Sequence, residues 1–278
     1  MRSAATNAHR AADRSRSSGR DEHRNDRRGQ RRSVRPSARC PHGIRGPARD
    51  GLGWELDRHW YHGALANPYS FGHTAYTGTT IVADPTSDSF VILLTNHVHP
   101  NRNWGSVNSR REAVANDLGR ALAVSPRVGR TAWYSGMVDK NTATLTVPVT
   151  VPAMSSTLSN QLWYDTEASW DFGYLESSTD GGTTWAPLPF TVSGRGAGTG
   201  AVSSVTAYDG QAWERATTPL TGLSGQVRLR WRYTTDNRYH GRGIYVDGVK
   251  VTSGSTTGFD GEANPGALQA VGCNGSRN

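Results

Sequence analysis

The chain has 278 residues, a formal net charge of +8 and two cysteines. This length suits one large domain or two ordinary ones. The charge is unevenly placed: residues 1–50 carry 14 arginines against five acidic groups, whereas the remainder carries 17 basic and 18 acidic groups. A polyanionic partner is therefore indicated for the first 50 residues only. No stretch has the ~18 apolar residues that a membrane span needs, so we expect no membrane span.

Residues 1–50 contain four apolar side chains besides alanine, too few to offset the entropy of folding. We predict that this segment is disordered, and it lacks the apolar core of a signal peptide. Two interpretations stay open: an arginine-rich arm that binds an anionic polymer, and an N-terminus that is not native, as a GC-rich gene read in the wrong frame would give. The lack of aromatic residues for base stacking favours the second and argues against specific nucleic-acid binding.

Residues 51–125 combine strand patterns with one helix. Alternating apolar residues predict strands over 51–57, 79–83 and 89–95, and the turn at 84–88 makes the last two a hairpin. Ser109 and Glu112 fit a capping box, which predicts a helix from there to about residue 124. Its apolar stripe is Val114, Leu118 and Leu122.

From residue 131 the pattern changes to short β-runs separated by turn residues, without a helical period. Regular spacing of this kind predicts an all-β sandwich or jelly roll over residues 126–258, followed by a flexible C-terminus over 259–278. The runs are 143–149, 160–164, 172–177, 226–234 and 243–251.

The segment Phe71-Gly-His-Thr-Ala-Tyr-Thr-Gly-Thr79 is followed by a hairpin strand, Phe90 to Asn96, and by Val98-His-Pro100. This resembles the C-terminal part of the serine β-lactamase and penicillin-binding-protein-like hydrolases, especially the class C and esterase branch. The resemblance implies an α+β fragment of that fold over residues 51–125, with antiparallel strands and a C-terminal helix. Relatives hydrolyse β-lactams, peptidoglycan peptides or esters through an acyl-enzyme, so a small-molecule or cell-wall substrate is implied.

The resemblance also implies roles for three residues. His73 and Thr74 would be the polar residues of the third motif, which binds substrate, and the Tyr76 N–H would be an oxyanion donor. Ala75 stands where the family usually has glycine, and its Cβ would narrow the cleft.

The nucleophile of these hydrolases is the serine of Ser-x-x-Lys, and this sequence has no such motif. Its two lysines, Lys140 and Lys250, follow Met137 and Asp247 at that spacing, and no Tyr-x-Asn occurs. Catalytic residues are therefore absent, and we predict no turnover. About 74 residues bury only ~60% of their unfolded surface, so Ile92 and Leu93 are expected to be partly exposed and this region to self-associate.

A second resemblance lies in the β-region. Trp170 to Trp185 contains a single Asp-box, Ser178-x-Asp180-x-Gly182-x-Thr-Trp185, and Gly243 to Val249 reads Gly-Ile-Tyr-Val-Asp-Gly-Val. Together these segments resemble the MAM-like jelly rolls of immune inhibitor A metalloproteases. One Asp-box is too few for a propeller. The resemblance implies an accessory or binding domain.

Candidate metal ligands are few. Asp165, Glu167, Asp171 and Asp247 offer the hard oxygens that calcium prefers, although aspartates beside turns more often bond the backbone. Cys40 and Cys273 are 233 positions apart without a Cys-x-x-Cys pair, so neither zinc nor a disulfide is expected. We expect no cofactor.

Two functions of different classes follow. The first is the C-terminal portion of a β-lactamase-type serine hydrolase with an accessory β-sandwich, inactive in this chain. The alternative is a non-catalytic module that binds carbohydrate or protein. An aromatic groove would favour the alternative, and its candidate tryptophans are Trp133, Trp163, Trp170 and Trp213. The resemblances imply an extracellular protein, although the chain shows no signal peptide.

Overall fold

The structure is a computed structural model that describes residues 50–153, 155–194 and 200–277. The tail predicted over residues 1–50 lies outside the described residues, apart from Asp50. Described residues 50–93 contain a five-stranded antiparallel sheet with the order β1-β2-β3-β4-β5. The strands are β1 (Asp50–Gly51), β2 (Trp54–Leu56), β3 (Phe71–Thr74), β4 (Thr80–Asp84) and β5 (Ser89–Leu93).

The first predicted strand, 51–57, is a tight hairpin instead. Gly51 pairs with Trp54, and the two residues between them, Leu52 and Gly53, both have positive φ. Two such residues form the turn whose twist matches antiparallel strands, so the chain reverses where the alternation pattern indicated that it continues. The hairpin of β4 and β5 is confirmed, with Asp84 facing Ser89 across the turn.

Two helices cover one face of this sheet: α1 (His59–His62), continued by a 3-10 turn (Gly63–Leu65), and α2 (Asn108–Ala121). Their shared core contains Tyr61, Leu65 and Val82. A Cβ added at Gly119 of α2 would lie 3.0 Å from the Ala64 Cβ, so the missing side chain permits close helix packing. None of the described helices is long and apolar enough to cross a bilayer.

The predicted start of the helix was wrong. The N-cap is Val107, which makes no side-chain cap, and Ser109 lies inside the helix. The Ser106 hydroxyl accepts the Asn108 N–H at 3.2 Å instead, which satisfies an N-terminal donor one turn earlier than the capping box would. The most buried stripe is correspondingly Arg111, Ala115 and Gly119, with the predicted apolar stripe beside it.

The other face of the sheet is apolar and exposed. Phe90, Ile92 and Leu94 are 66%, 50% and 80% exposed. The prediction for Ile92 is thus confirmed, and Leu93 is half-buried. A sheet of this kind is stabilised when each apolar face packs against a second layer.

Two antiparallel sheets form a β-sandwich over residues 132–276, which confirms the predicted sandwich. A five-stranded sheet has the order β10-β9-β14-β7-β17; the other has the order β12-β11-β13-β8-β15-β6-β18, with β16 paired to β15. The strands are β6 (Ala132–Tyr134), β7 (Thr142–Val151), β8 (Ser156–Asp165), β9 (Phe172–Ser178), β10 (Ala186–Pro187), β11 (Phe190–Ser193), β12 (Ala201–Val202), β13 (Glu214–Pro219), β14 (Gly225–Thr234), β15 (Gly243–Ser253), β16 (Thr256–Asp260), β17 (Gln269–Val271) and β18 (Asn274–Ser276).

The core lies between these sheets because their strands alternate buried and outward-facing residues. On β14, Leu229 is fully buried and Val227 is 2% exposed. The C-terminal residues predicted to be flexible, 259–278, instead supply two paired strands: Ala270 pairs with Leu145 and Gly275 with Trp133. These short segments lack the alternation of longer strands, and backbone pairing places them in the sheets.

Asp247 of β15 connects the sandwich to the segment that follows α2. Its Oδ2 accepts the N–H groups of Arg127 and Val128 at 2.7 and 2.8 Å, and its Oδ1 accepts its neighbour's N–H, from Gly248, at 2.7 Å. Arg242 adds a bond from Nη2 to the Leu122 carbonyl at 2.7 Å. The two parts of the described chain are thus joined by buried polar contacts.

Candidate functional site

A pocket of about 480 Å³ opens where β3 ends and α2 begins. Three segments meet there: the turn after β3, the loop between β5 and α2, and the first turn of α2. Polar and basic side chains dominate the lining, and no carboxylate occurs among its residues in the described chain. The lining residues are Thr74, Ala75, Tyr76, His97, Val98, Arg102, Gly105, Ser106, Val107, Asn108 and Arg111.

Arg111 links the segments that line this pocket. It is 8% exposed, and its Nη2 donates to the Ala75 carbonyl at 2.9 Å while its Nε donates to the Gly78 carbonyl at 3.2 Å. Its Nη1 donates to Asn108 Oδ1 at 3.0 Å. Burial lowers the pKa of Arg111, but an arginine remains charged at neutral pH. The guanidinium thus fixes the turn after β3 against α2 and leaves positive charge beside the pocket.

The loop between β5 and α2 adds two more basic groups. The Arg102 guanidinium lies 4.3 Å from the centre of the Tyr76 ring, and this cation–π contact holds both side chains over the pocket. His97 Nε2 donates to the Gly105 carbonyl at 2.9 Å, while its Nδ1 accepts from Arg110 at 3.2 Å. The lining can therefore donate hydrogen bonds and attract an anion.

The structure brings together two of the three residues that the sequence assigned to substrate binding. Thr74 and Tyr76 line the pocket. The His73 ring lies outside the lining, exposed on β3, and its Nδ1 donates to the Thr74 carbonyl at 2.8 Å. The sequence did not identify Arg111, because an arginine among several on a helix carries no signal of its burial.

Neither lysine is close to this site. Lys250 Nζ lies 2.9 Å from Asp260 Oδ2 on the hairpin of β15 and β16, and Lys140 lies in the turn that precedes β7. Both are in the sandwich. The lining residues of the described pocket therefore include neither lysine.

The fold brings together two of the four carboxylates predicted as calcium ligands, Glu167 and Asp171, and separates the other two from them. Glu167, Asp171 and Asp236 have carboxylate oxygens within 4.8 Å of one another, and these oxygens suit a hard cation. Asp171 also accepts the Asp236 N–H at 3.1 Å, and burial raises its pKa to about 6. Asp247 lies outside this group because its carboxylate caps backbone donors.

Asp165 belongs to a different buried group, at the contact between the two parts of the chain. Asp84, Asp165 and Asp209 are all at most 5% exposed. Gln211 Nε2 donates to Asp84 Oδ2 at 3.2 Å, which ties β4 to a loop of the sandwich. Burial raises the pKa of Asp209 to about 7, and it raises that of Asp165 well above its ordinary range.

Residues 105–276 match the family described as immune inhibitor A-like, MAM domain. This match spans more than half of the 278 residues. The chain belongs to this family. The resemblance of the sandwich to MAM-like jelly rolls is thus confirmed, and the match begins before the boundary predicted at residue 126. No curated protein matches the chain.

The candidate tryptophans of the MAM domain do not form a groove. Trp163 is 3% exposed and packs edge-on against Tyr245 at 5.4 Å. Trp213 contacts the same cluster and donates from Nε1 to the Ser125 carbonyl at 2.9 Å, whereas Trp133 packs on the sandwich core. Trp170 is 45% exposed. The sequence could not separate buried from surface tryptophans.

The Asp-box of the MAM domain forms a closed turn. Asp180 Oδ1 accepts the N–H groups of Thr183 and Thr184, both at 3.0 Å, and the Ser178 hydroxyl donates to the same oxygen at 2.7 Å. The Thr184 hydroxyl, which donates to Oδ2, and these hydrogen bonds hold the pKa of Asp180 well below its usual value. The turn fixes Trp185, whose Nε1 donates to the Gly182 carbonyl at 3.0 Å.

Proposed function

We propose that this chain is the C-terminal portion of a β-lactamase-type serine hydrolase, joined to an accessory MAM domain. The observation that carries the proposal is the pocket of about 480 Å³. Thr74 and Tyr76 of the resembling motif line it beside Arg111, although Arg111 comes from a helix that starts more than 30 residues later. If the motif had no role beyond forming a strand, its residues would not need to meet an arginine from a distant helix in one pocket.

The chemistry of the pocket supports binding of an anionic or carbonyl group. Arg111 and Arg102 supply positive charge, and Thr74 and Asn108 supply short polar side chains. A carboxylate that pairs with a fixed guanidinium forms charge-assisted hydrogen bonds, which are stronger than those between neutral groups. In the proposed function this wall would orient substrate, and His73 would lie at its margin.

The same proposal accounts for the exposed apolar face of the first sheet. Phe90, Ile92 and Leu94 would pack against the remaining part of the hydrolase fold, which these 278 residues do not contain. The nucleophile would come from that part too, since the sequence has no Ser-x-x-Lys. The chain alone would then bind without turnover. We also propose an extracellular location, which the resemblance of both halves to parts of exported proteins supports.

Sequencing the genomic DNA upstream of codon 51 tests this proposal. Translation in three frames is expected to give Ser-x-x-Lys, then Tyr-x-Asn, in one continuous frame that leads into residue 51. A chain restored with that frame is expected to form an acyl-enzyme with penicillin or a simple ester. Upstream DNA with neither motif in any frame would refute the proposal and leave a MAM protein of another architecture.

A further inference from the structure

Three arginines form a row on the outer face of the five-stranded sheet. Arg228, Arg230 and Arg232 alternate along β14 with residues that are buried in the core. Because two residues of a strand span about 6.7 Å, the three arginine side chains leave the backbone at that spacing along one line. A row of this kind faces outward at the centre of the sheet, between β9 and β7.

Two of these arginines are held in place by neighbouring side chains. Glu176 on β9 accepts from Arg230 Nη2 at 2.6 Å and from Arg232 Nη2 at 2.7 Å. The Arg230 guanidinium also lies 3.7 Å from the centre of the Trp185 ring, and that of Arg232 lies 4.3 Å from the Tyr174 ring. Stacking and bidentate pairing restrict both guanidinium groups, so little entropy is left to lose when an anion binds.

Arg228 completes the row without a carboxylate. Among described residues, no acidic group lies within ion-pair distance of it. It packs beside the Asp-box turn, because a Cβ at Gly182 would meet Arg228 Cδ and the Trp185 ring, each at 3.5 Å. The carboxylate of Asp180 is directed into its own turn by four donors. The row therefore presents three positive charges against one buried negative charge, that of Glu176.

Hydroxyl groups lie along one side of the row. On β7, Thr146 pairs with Arg230 and Thr144 pairs with Arg232. At the end of the row, Gln226 Nε2 donates to Thr150 Oγ1 at 2.9 Å. The outer face is thus cationic along β14 and carries threonine hydroxyls along β7, with Pro148 opposite Arg228.

We propose that this face binds an extended anionic polysaccharide that lies along β14. Its carboxylate or sulfate groups would pair with the arginine row, and its hydroxyls would meet the threonines of β7. A single-stranded nucleic acid fits less well, because the arginines already stack on Trp185 and Tyr174 and so occupy ring faces that bases need. The Asp-box gains a role here: it fixes Trp185 and thereby the line of positive charge.

The full chain is the protein to test, so that any contribution of the arginine-rich first 50 residues to polyanion binding is the same in every variant. Binding of heparin, which is sulfated, and of polygalacturonate, which is carboxylated, is compared for the wild type, Arg228→Gln and Arg215→Gln. Arg215 is exposed on β13 of the opposite sheet and serves as the matched control. Phenylglyoxal modification read by mass spectrometry reports which arginines the ligand covers, and thermal melting confirms that each variant is folded.

Arg228→Gln is expected to weaken binding about tenfold, as the loss of one charge-assisted contact implies, and Arg215→Gln is expected to leave it unchanged. The ligand is expected to protect Arg228 from phenylglyoxal and not Arg215, and neutral dextran to protect neither. Equal effects of the two substitutions, or an unprotected Arg228, would overturn the proposal. A thymidine oligonucleotide that protects Arg228 more strongly than either polysaccharide would also overturn it. Stronger protection by heparin or by polygalacturonate identifies the favoured anion.

Discussion

Replacing Asp247 with alanine tests how the two parts of the chain are joined. The side chain is 1% exposed, and its carboxylate accepts three backbone N–H groups at 2.7 to 2.8 Å. A hydrogen bond to a charged group contributes about 1.5–3 kcal/mol. The three bonds share one carboxylate, and water can reach the half-exposed donors in the variant. We therefore expect Asp247→Ala to lower the free energy of unfolding by about 3–4 kcal/mol, which is less than the sum of three separate bonds.

Urea unfolding followed by tryptophan fluorescence measures this loss. We expect Asp247→Ala to lower the midpoint by about 1–2 M. Asp117→Ala is the control, because Asp117 makes an exposed ion pair with Arg120 on α2 that is worth less than about 1 kcal/mol. If Asp247→Ala unfolds within about 0.5 kcal/mol of Asp117→Ala, the carboxylate does not join these segments and the reasoning is refuted.

The raised pKa of Asp209 couples stability to pH. The folded Asp209 carboxyl keeps its proton up to about pH 7, whereas the unfolded one loses it near pH 3.8. The free energy of unfolding of the wild type should therefore fall relative to that of Asp209→Asn as the pH rises from 4 to 7. A difference in urea midpoint that stays constant over this range would contradict the prediction. The calcium hypothesis predicts that CaCl2 raises the Tm and that Asp236→Asn removes the rise; an unchanged Tm of the wild type would refute it. The exposed apolar face predicts that the double variant Phe90→Thr, Ile92→Thr increases the monomeric fraction in light scattering, and an equally associated variant would exclude this face as the cause.

Much of the sandwich was predictable because its strands bury alternate residues. The long strands β7, β8, β9, β14 and β15 all contain the predicted runs, since a period of two is visible without knowledge of the partner strand. Strands β17 and β18 escaped prediction, because their order comes from pairing with β7 and β6 and not from their own composition.

The candidate site was predictable in its motif and not in its partners. Thr74 and Tyr76 follow from a local pattern, whereas Arg111 reaches the pocket through the packing of α2, whose N-cap the sequence placed two residues too late. Similarly, Asp247 resembled a metal ligand because an aspartate beside a glycine turn has no local signal for the backbone segment it caps 120 residues away.

Covalent labelling of the full chain tests whether it contains a catalytic nucleophile, which the proposed function predicts to be absent. The chain is incubated with a fluorescent penicillin and a fluorescent fluorophosphonate, denatured in SDS and compared with an intact serine β-lactamase. We predict that label remains on the β-lactamase and that none remains on this chain. A label that survives denaturation and maps to one serine of this chain would show that a nucleophile is present and would contradict this prediction.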